Sequence, residues 1–258
     1  MIIGLLILGL VFGACIGSFC NVLIIRMHEG ASIGGRSQCV HCQSTLLPHH
    51  LIPILSWVVL RARCAFCREP IHWQYPVVET LGALIGVCAV WSSIGDTVID
   101  WKRLVFTLLF LFSLLVIGAF DARWQLVPVE FTLASAVVVG IAHLLTLGWT
   151  QAPGIILGTA LTAGGLWLIV RVSRGRLMGE GDPIVGVLVG TGLGWPLSPV
   201  ALGFAFMLGG MVAAMLLAAG RVRRDTAVPF VPFFAIGAFV AYFWGSQIIA
   251  LFSNAFPS

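Results

Sequence analysis

Charge is what this sequence has least of: Asp, Glu, Lys and Arg make up 9% of its 258 residues, against 59% hydrophobic. That scarcity, with a mean hydropathy of +1.05, excludes a soluble domain. The charges it does have gather between apolar runs about 17–25 residues long, the length that spans a bilayer as a helix. β-strands are excluded because the runs are too long for barrel strands and a lone strand leaves its backbone unpaired in lipid. Basic residues are missing ahead of the first run, 1–25, which is also longer than a signal-peptide core, so it is expected to persist as a helix. The class is an all-α polytopic membrane protein. A formal charge of +4 describes loops between spans, and no nucleic-acid partner is expected.

Eight spans are expected, at about 2–25, 76–94, 103–120, 129–148, 153–171, 183–199, 201–219 and 229–252. Four glycines (Gly186, Gly190, Gly192 and Gly194) thin out the sixth. Gly9, Gly13 and Gly17 repeat at intervals of four in the first, a stripe suited to close helix contact. With the first span entering from outside, Arg26, Arg36, Arg61, Arg63, Arg68, Arg123, Arg171, Arg174, Arg176, Arg221, Arg223 and Arg224 fall in inside segments. Only Lys102 and Arg103 fall outside. By the positive-inside rule both termini are then outside and the 26–76 loop is cytoplasmic.

That topology puts two acids on the same, cytoplasmic, side. Asp121 closes the run 104–120 and is followed after six residues by Pro128; Asp182 closes the turn Gly179-Glu180-Gly181-Asp182. A carboxylate at a membrane edge is expensive and so usually functional. The flanking glycines permit turns or close approach of another chain segment. Two such acids suggest an aspartyl protease working at the membrane surface. The structural alternative is that each acid simply marks a helix end.

Seven cysteines are an odd number, but four form two C-x-x-C pairs, Cys39/Cys42 and Cys64/Cys67, twenty-one residues apart. In a reduced compartment such pairs point to metal before disulfide. Four thiolates close a tetrahedron on one structural zinc and leave no open position for catalysis. The metal would organise a loop of about fifty residues that is too small for much of a core. Cys15, Cys20 and Cys88 are read as small buried residues. The histidines His28, His41, His49, His50 and His72 are read as loop residues. The apolar piece 51–60 is too short to span and is expected to pack on the zinc module or lie in the interface.

Six pieces in one order carry a family resemblance. They are Gly17-Ser18-Phe19-Cys20-Asn21-Val22; the tetracysteine loop with its internal Ile52-Pro53-Ile54-Leu55-Ser56-Trp57; Tyr75-Pro76-Val77-Val78-Glu79; Asp121-x6-Pro128; Gly179-Glu180-Gly181-Asp182; and Pro229-Phe230-Val231-Pro232-Phe233. Together they resemble the type IV prepilin peptidases, GxGD-type aspartyl membrane proteases that are also N-methyltransferases of pilus and type II secretion systems. The resemblance implies three parts: a helix at 1–26, a cytoplasmic zinc module at 27–75 associated with methyl transfer, and a membrane peptidase domain at 76–258. It implies a catalytic pair, Asp121 and Asp182, with Gly179, Gly181 and Pro128 in support. It further implies a prepilin or pseudopilin substrate in the bacterial inner membrane and S-adenosylmethionine as methyl donor. Inside arginines do not attract a basic leader, so recognition is expected at local acids, Glu29, Glu69, Glu79 and Glu180. Glu79 is also assigned to the substrate or methyl-donor region. The chain departs from the family pattern at Ile184, where a lysine is usual, at Val129, where an aspartate often follows the proline, and at His50-Leu51. Those departures leave a catalytically inactive scaffold as a second reading, and the intramembrane acids alone leave a transporter as a third.

Overall fold

The computed structural model describes residues 2–95, 98–221, 223 and 228–255; Arg224, one of the arginines expected inside, lies outside the described residues. Among these residues every regular element is a helix, apart from three isolated β-bridges. The chain forms two compact units, Met1–Ala119 and Phe120–Ser258.

The first unit holds α1 (Ile2–Glu29), a loop with the short α2 (Leu55–Val59), α3 (Gln74–Ser93) and most of α4 (Trp101–Trp124). Its main packing is α1 against α3. The stripe expected on α1 meets a second stripe, Gly82 and Gly86 of α3. A Cβ on Gly9 would stand 2.8 Å from the Gly86 carbonyl oxygen, and one on Gly17 would stand 2.8 Å from that of Val78. Gly13 likewise faces the Gly82 carbonyl. Lipid gives no hydrophobic drive to helix pairing, so backbone contact through small residues supplies it. A polar clasp closes the end of the seam. Asn21, 1% exposed, donates from Nδ2 to the Tyr75 carbonyl at 3.2 Å and accepts from Gln74 Nε2 at 3.3 Å.

The second unit holds the end of α4, then α5 (Val129–Leu147), α6 (Ala152–Ser173), α7 (Asp182–Leu193), α8 (Leu197–Ala218) and α9 (Val231–Ala255). Among the described residues seven helices are long and apolar enough to cross a membrane; α7, with twelve residues, is shorter. The sixth expected span, 183–199, therefore ends early, at Leu193, and α8 begins at Leu197. At 1.5 Å per residue α7 is about 18 Å long, less than the hydrocarbon core. It survives because its neighbours wrap it: α5, α6, α8 and α9 all pack on it. The glycines that thin its sequence are contact points. Gly186 abuts Ala163 and Gly190 abuts Thr159 of α6, and the Thr162 hydroxyl donates to the Gly186 carbonyl at 3.1 Å. Across α5 the buried His143 donates from Nδ1 to the Thr191 carbonyl at 2.8 Å.

Candidate active site and metal centre

Asp121 occupies the last turn of α4 and Asp182 the first position of α7, both in the second unit. Both are buried, at 6% and 8% exposure. The turn that carries Asp182 packs on the segment that follows Asp121, where Gly181 abuts Val127. Each is held by a backbone N–H: Val231 donates to Asp121 Oδ2 at 3.1 Å, and Gly179 donates to Asp182 Oδ2 at 3.0 Å. Val231 begins α9, so Asp121 sits where unpaired N–H groups and the helix dipole favour an anion. Asp182 likewise lies in the first turn of its own helix.

The residues around the acids explain their aim. Gly181 has φ −75, an ordinary value, so it is not needed for a turn. It is needed for proximity, because a Cβ there would lie 2.7 Å from Val127 Cγ2 and 2.8 Å from Val127 Cβ. That contact presses the strand of chain after Asp121 against the turn before Asp182. Gly179 has room for a Cβ, with its nearest neighbour, Asp182 Oδ2, at 3.6 Å. Pro128 caps α5, and its carbonyl accepts both the N–H and the hydroxyl of Thr132 at 2.9 Å. The role of Val231 was missed in the sequence, although its Pro-Phe-Val-Pro-Phe setting was noticed. A backbone donor leaves no residue-type signal; only the prolines on either side mark a helix start.

Glu79 lies in the first unit, on α3, and is buried. Its Oε2 accepts the Ile54 N–H at 2.6 Å, and the Ser18 hydroxyl donates to the same side chain. Ile54 has φ +63 and ψ −51, the centre of a γ-turn closed by the Leu55 N–H donating to the Pro53 carbonyl at 2.6 Å, a conformation that a β-branched residue rarely adopts. Glu79 thus ties α1, α3 and the strained entry to α2 together. Trp57 Nε1 donates to the Ile71 carbonyl at 3.3 Å, which anchors α2 on the loop, while Leu55, Val58 and Val59 stay exposed.

Within that loop the Sγ atoms of Cys39, Cys42, Cys64 and Cys67 all lie within 4.8 Å of one another. Cys39 and Cys67 are 3.8 Å apart, far beyond disulfide length. Zn–S bonds of about 2.3 Å in a tetrahedron require S···S edges of about 3.8 Å, so the set fits zinc. The two half-sites repeat each other. In each, the first cysteine's N–H donates five residues on, from Cys39 to Ser44 and from Cys64 to Glu69, and the residue after the second cysteine is left-handed, Gln43 at φ 57 and Arg68 at φ 63. The thiols do not ionise alike on their own. The Ser44 hydroxyl and backbone draw Cys42 down to about 6. The Glu69 backbone favours the Cys67 thiolate, yet burial and the three neighbouring sulfurs push Cys67 up to about 12. A divalent cation at the centre removes that conflict and permits four thiolates.

Residues 11–93 match the bacterial peptidase A24 N-terminal domain, and residues 108–214 match the type IV leader peptidase family. A prepilin leader peptidase/N-methyltransferase of Legionella pneumophila is 33% identical over 223 residues, covering 83% of this chain and 74% of the relative. The chain belongs to the type IV leader peptidase family. A Pseudomonas putida member with the same name is 30% identical over 273 residues, covering 94% and 92%. One from Bacillus subtilis strain 168 is 29% identical over 245 residues, covering 94% and 95%. No solved structure matches. As a leader peptidase family member with seven span-length helices, the chain is a multi-pass membrane protein.

Proposed function

We propose that this chain is a membrane aspartyl endopeptidase that removes the leader from type IV prepilins or pseudopilins and N-methylates the new N-terminus. One observation carries the reading: in a leader peptidase family chain, two buried acids from different helices, Asp121 and Asp182, flank the contact of Gly181 with Val127. Two adjacent carboxyls do not both ionise cheaply, so they share a proton. The ionised member takes a proton from water as the water oxygen bonds to the scissile carbonyl carbon. The neutral member donates to the carbonyl oxygen. Collapse breaks the C–N bond, the nitrogen leaves as an amine with a proton from the pair, and the leader departs with a new carboxylate. The pair titrates as a unit, so neither acid is assigned as base. Gly179, Gly181 and Pro128 are positioning residues for this pair.

The reading extends to a division of labour: a helix at 1–26, a zinc module at 27–75 that serves methyl transfer, and a peptidase domain at 76–258. S-adenosylmethionine supplies the methyl group. Zinc, held by Cys39, Cys42, Cys64 and Cys67, is structural and does no chemistry. Glu79 positions the module against α1 and α3, which is how it reaches the methyl-donor region. The basic-residue distribution supports an inner-membrane topology with both termini outside and the active site facing the cytoplasm. The test is cleavage of a purified prepilin by the detergent-solubilised full chain. Loss of activity in Asp121→Asn and in Asp182→Asn, with folding intact, supports the pair; substantial turnover by either variant refutes it.

A further inference from the structure

The C-terminus of α6 is built in an unusual way. Arg174 is left-handed, at φ 53 and ψ 41, and Gly175 follows at φ +73. One left-handed residue, normally glycine, suffices to close a helix, and the conformation is unfavourable at an arginine. The Gly175 N–H returns to the Val170 carbonyl at 3.0 Å, so the chain folds back over the helix end before it reaches Asp182. The result is a cavity of about 370 Å³ lined by Val170, Arg171, Arg174, Gly175 and Glu180. Arg171, in the last turn of α6, and Arg174, the left-handed residue that closes it, both line the cavity. Neither guanidinium is ion-paired with Glu180 across the cavity, nor with any other described residue. Glu180 stands two residues before Asp182, which puts their Cα atoms within about 7 Å.

We propose that this cavity is a product subsite that takes the α-carboxylate freed on the leader when the peptide bond is cut. The inference rests on the peptidase reading above. Hydrolysis creates an anion against two aspartates, which repel it. Two unpaired guanidiniums in a neighbouring cavity offer the planar, bidentate recognition that a carboxylate fits. Glu180 on the same wall gives a basic leader side chain its counter-charge. The strain at Arg174 is consistent with this use, since it places the second guanidinium on the cavity wall.

The experiment compares two synthetic leader peptides on the full chain in a zwitterionic detergent, one ending in a free carboxylate and one in a carboxamide. Binding is read by fluorescence anisotropy on the Asp121→Asn variant, and product inhibition is read on the wild-type chain. The expected result is binding of the acid about tenfold or more tighter than the amide. In R171Q/R174Q the two peptides converge while the amide's affinity is unchanged; R171Q alone gives an intermediate ratio, and thermal unfolding confirms that each variant is folded. Equal binding of acid and amide to the unsubstituted cavity overturns the proposal, as does a preference that survives R171Q/R174Q. So does a double variant whose only change is lost stimulation by phosphatidylglycerol vesicles, which would make the cavity a lipid phosphate site. If the wild-type chain still cleaves prepilin in any of these cases, the peptidase reading stands and the subsite alone falls.

Discussion

Asp121 and Asp182 are each held by a single backbone donor, one from the start of α9 and one from the turn three residues upstream. Replacing either by asparagine keeps the size and the hydrogen bond but removes the shared proton. Cleavage should fall by about a thousandfold or more in each variant, with melting in detergent unchanged, as read by single-turnover assays. Gly181 makes a second, steric, prediction. Gly181→Ala drives a Cβ against both Cγ2 and Cβ of Val127, so cleavage should drop sharply, and Val127→Gly in the same chain, which removes both atoms, should restore much of it. Gly179→Ala, whose Cβ would meet only Asp182 Oδ2 at an ordinary 3.6 Å, should be nearly silent. If Gly181→Ala proves silent, or a folded Gly181→Ala/Val127→Gly chain is not rescued, the close approach does not matter to the site. The acids and the Gly-x-Gly frame were legible in the sequence because carboxylates are rare in apolar runs. What differed was the reason for the glycines: the sequence allowed a turn or a close approach, and the backbone shows the second, at Gly181 alone.

Among elements, α1 and α3 show what a pattern can and cannot announce. The Gly9–Gly13–Gly17 repeat declared a close contact, but its partner stripe, Gly82 and Gly86, went unread because two small residues four apart are common in apolar runs. Asn21 was quoted only as part of a motif; its place on the buried face, clasping Gln74 and the Tyr75 carbonyl, depends on the pairing itself. A leucine at Gly13 or Gly86 must push the two backbones apart. It should destabilise the chain by about 1–3 kcal/mol or more, read as a lowered melting temperature in detergent. The same substitution at Gly164, which has nothing within 4 Å, should be tolerated. The early stop of α7 was hidden for a related reason. Composition marks 183–199 as one apolar run, whereas the helix stops at Leu193; the glycines that weaken its propensity let α6 approach closely, and its neighbours bury a helix shorter than the hydrocarbon core. His143 escaped notice as a lone histidine in an apolar run, yet it donates to the Thr191 carbonyl and ties α5 to α7.

At the scale of the whole molecule, metal, topology and activity can be tested separately. The purified chain should carry one zinc, released as pH falls because protons compete for the thiolates. Cys42→Ser or Cys67→Ser should abolish zinc binding and methyl transfer while leaving part of the peptidase activity, since the acids sit on other helices. Metal analysis alongside thiol alkylation checks this; four freely alkylated thiols with no metal would refute it. The division of basic residues predicts that single cysteines placed beside Asp121 and beside Asp182 in a chain otherwise free of exposed thiols are labelled from the cytoplasmic side. Labelling from opposite sides would end the paired-acid account. The most direct measurement of the central claim is mass spectrometry of a prepilin incubated with the full chain, with Asp121→Asn and with Asp182→Asn. The account predicts a single cut at the leader junction by the unsubstituted chain and an intact prepilin with either variant. A leader removed at a comparable rate by either asparagine variant, or left uncut by a folded, zinc-loaded wild-type chain, would contradict it.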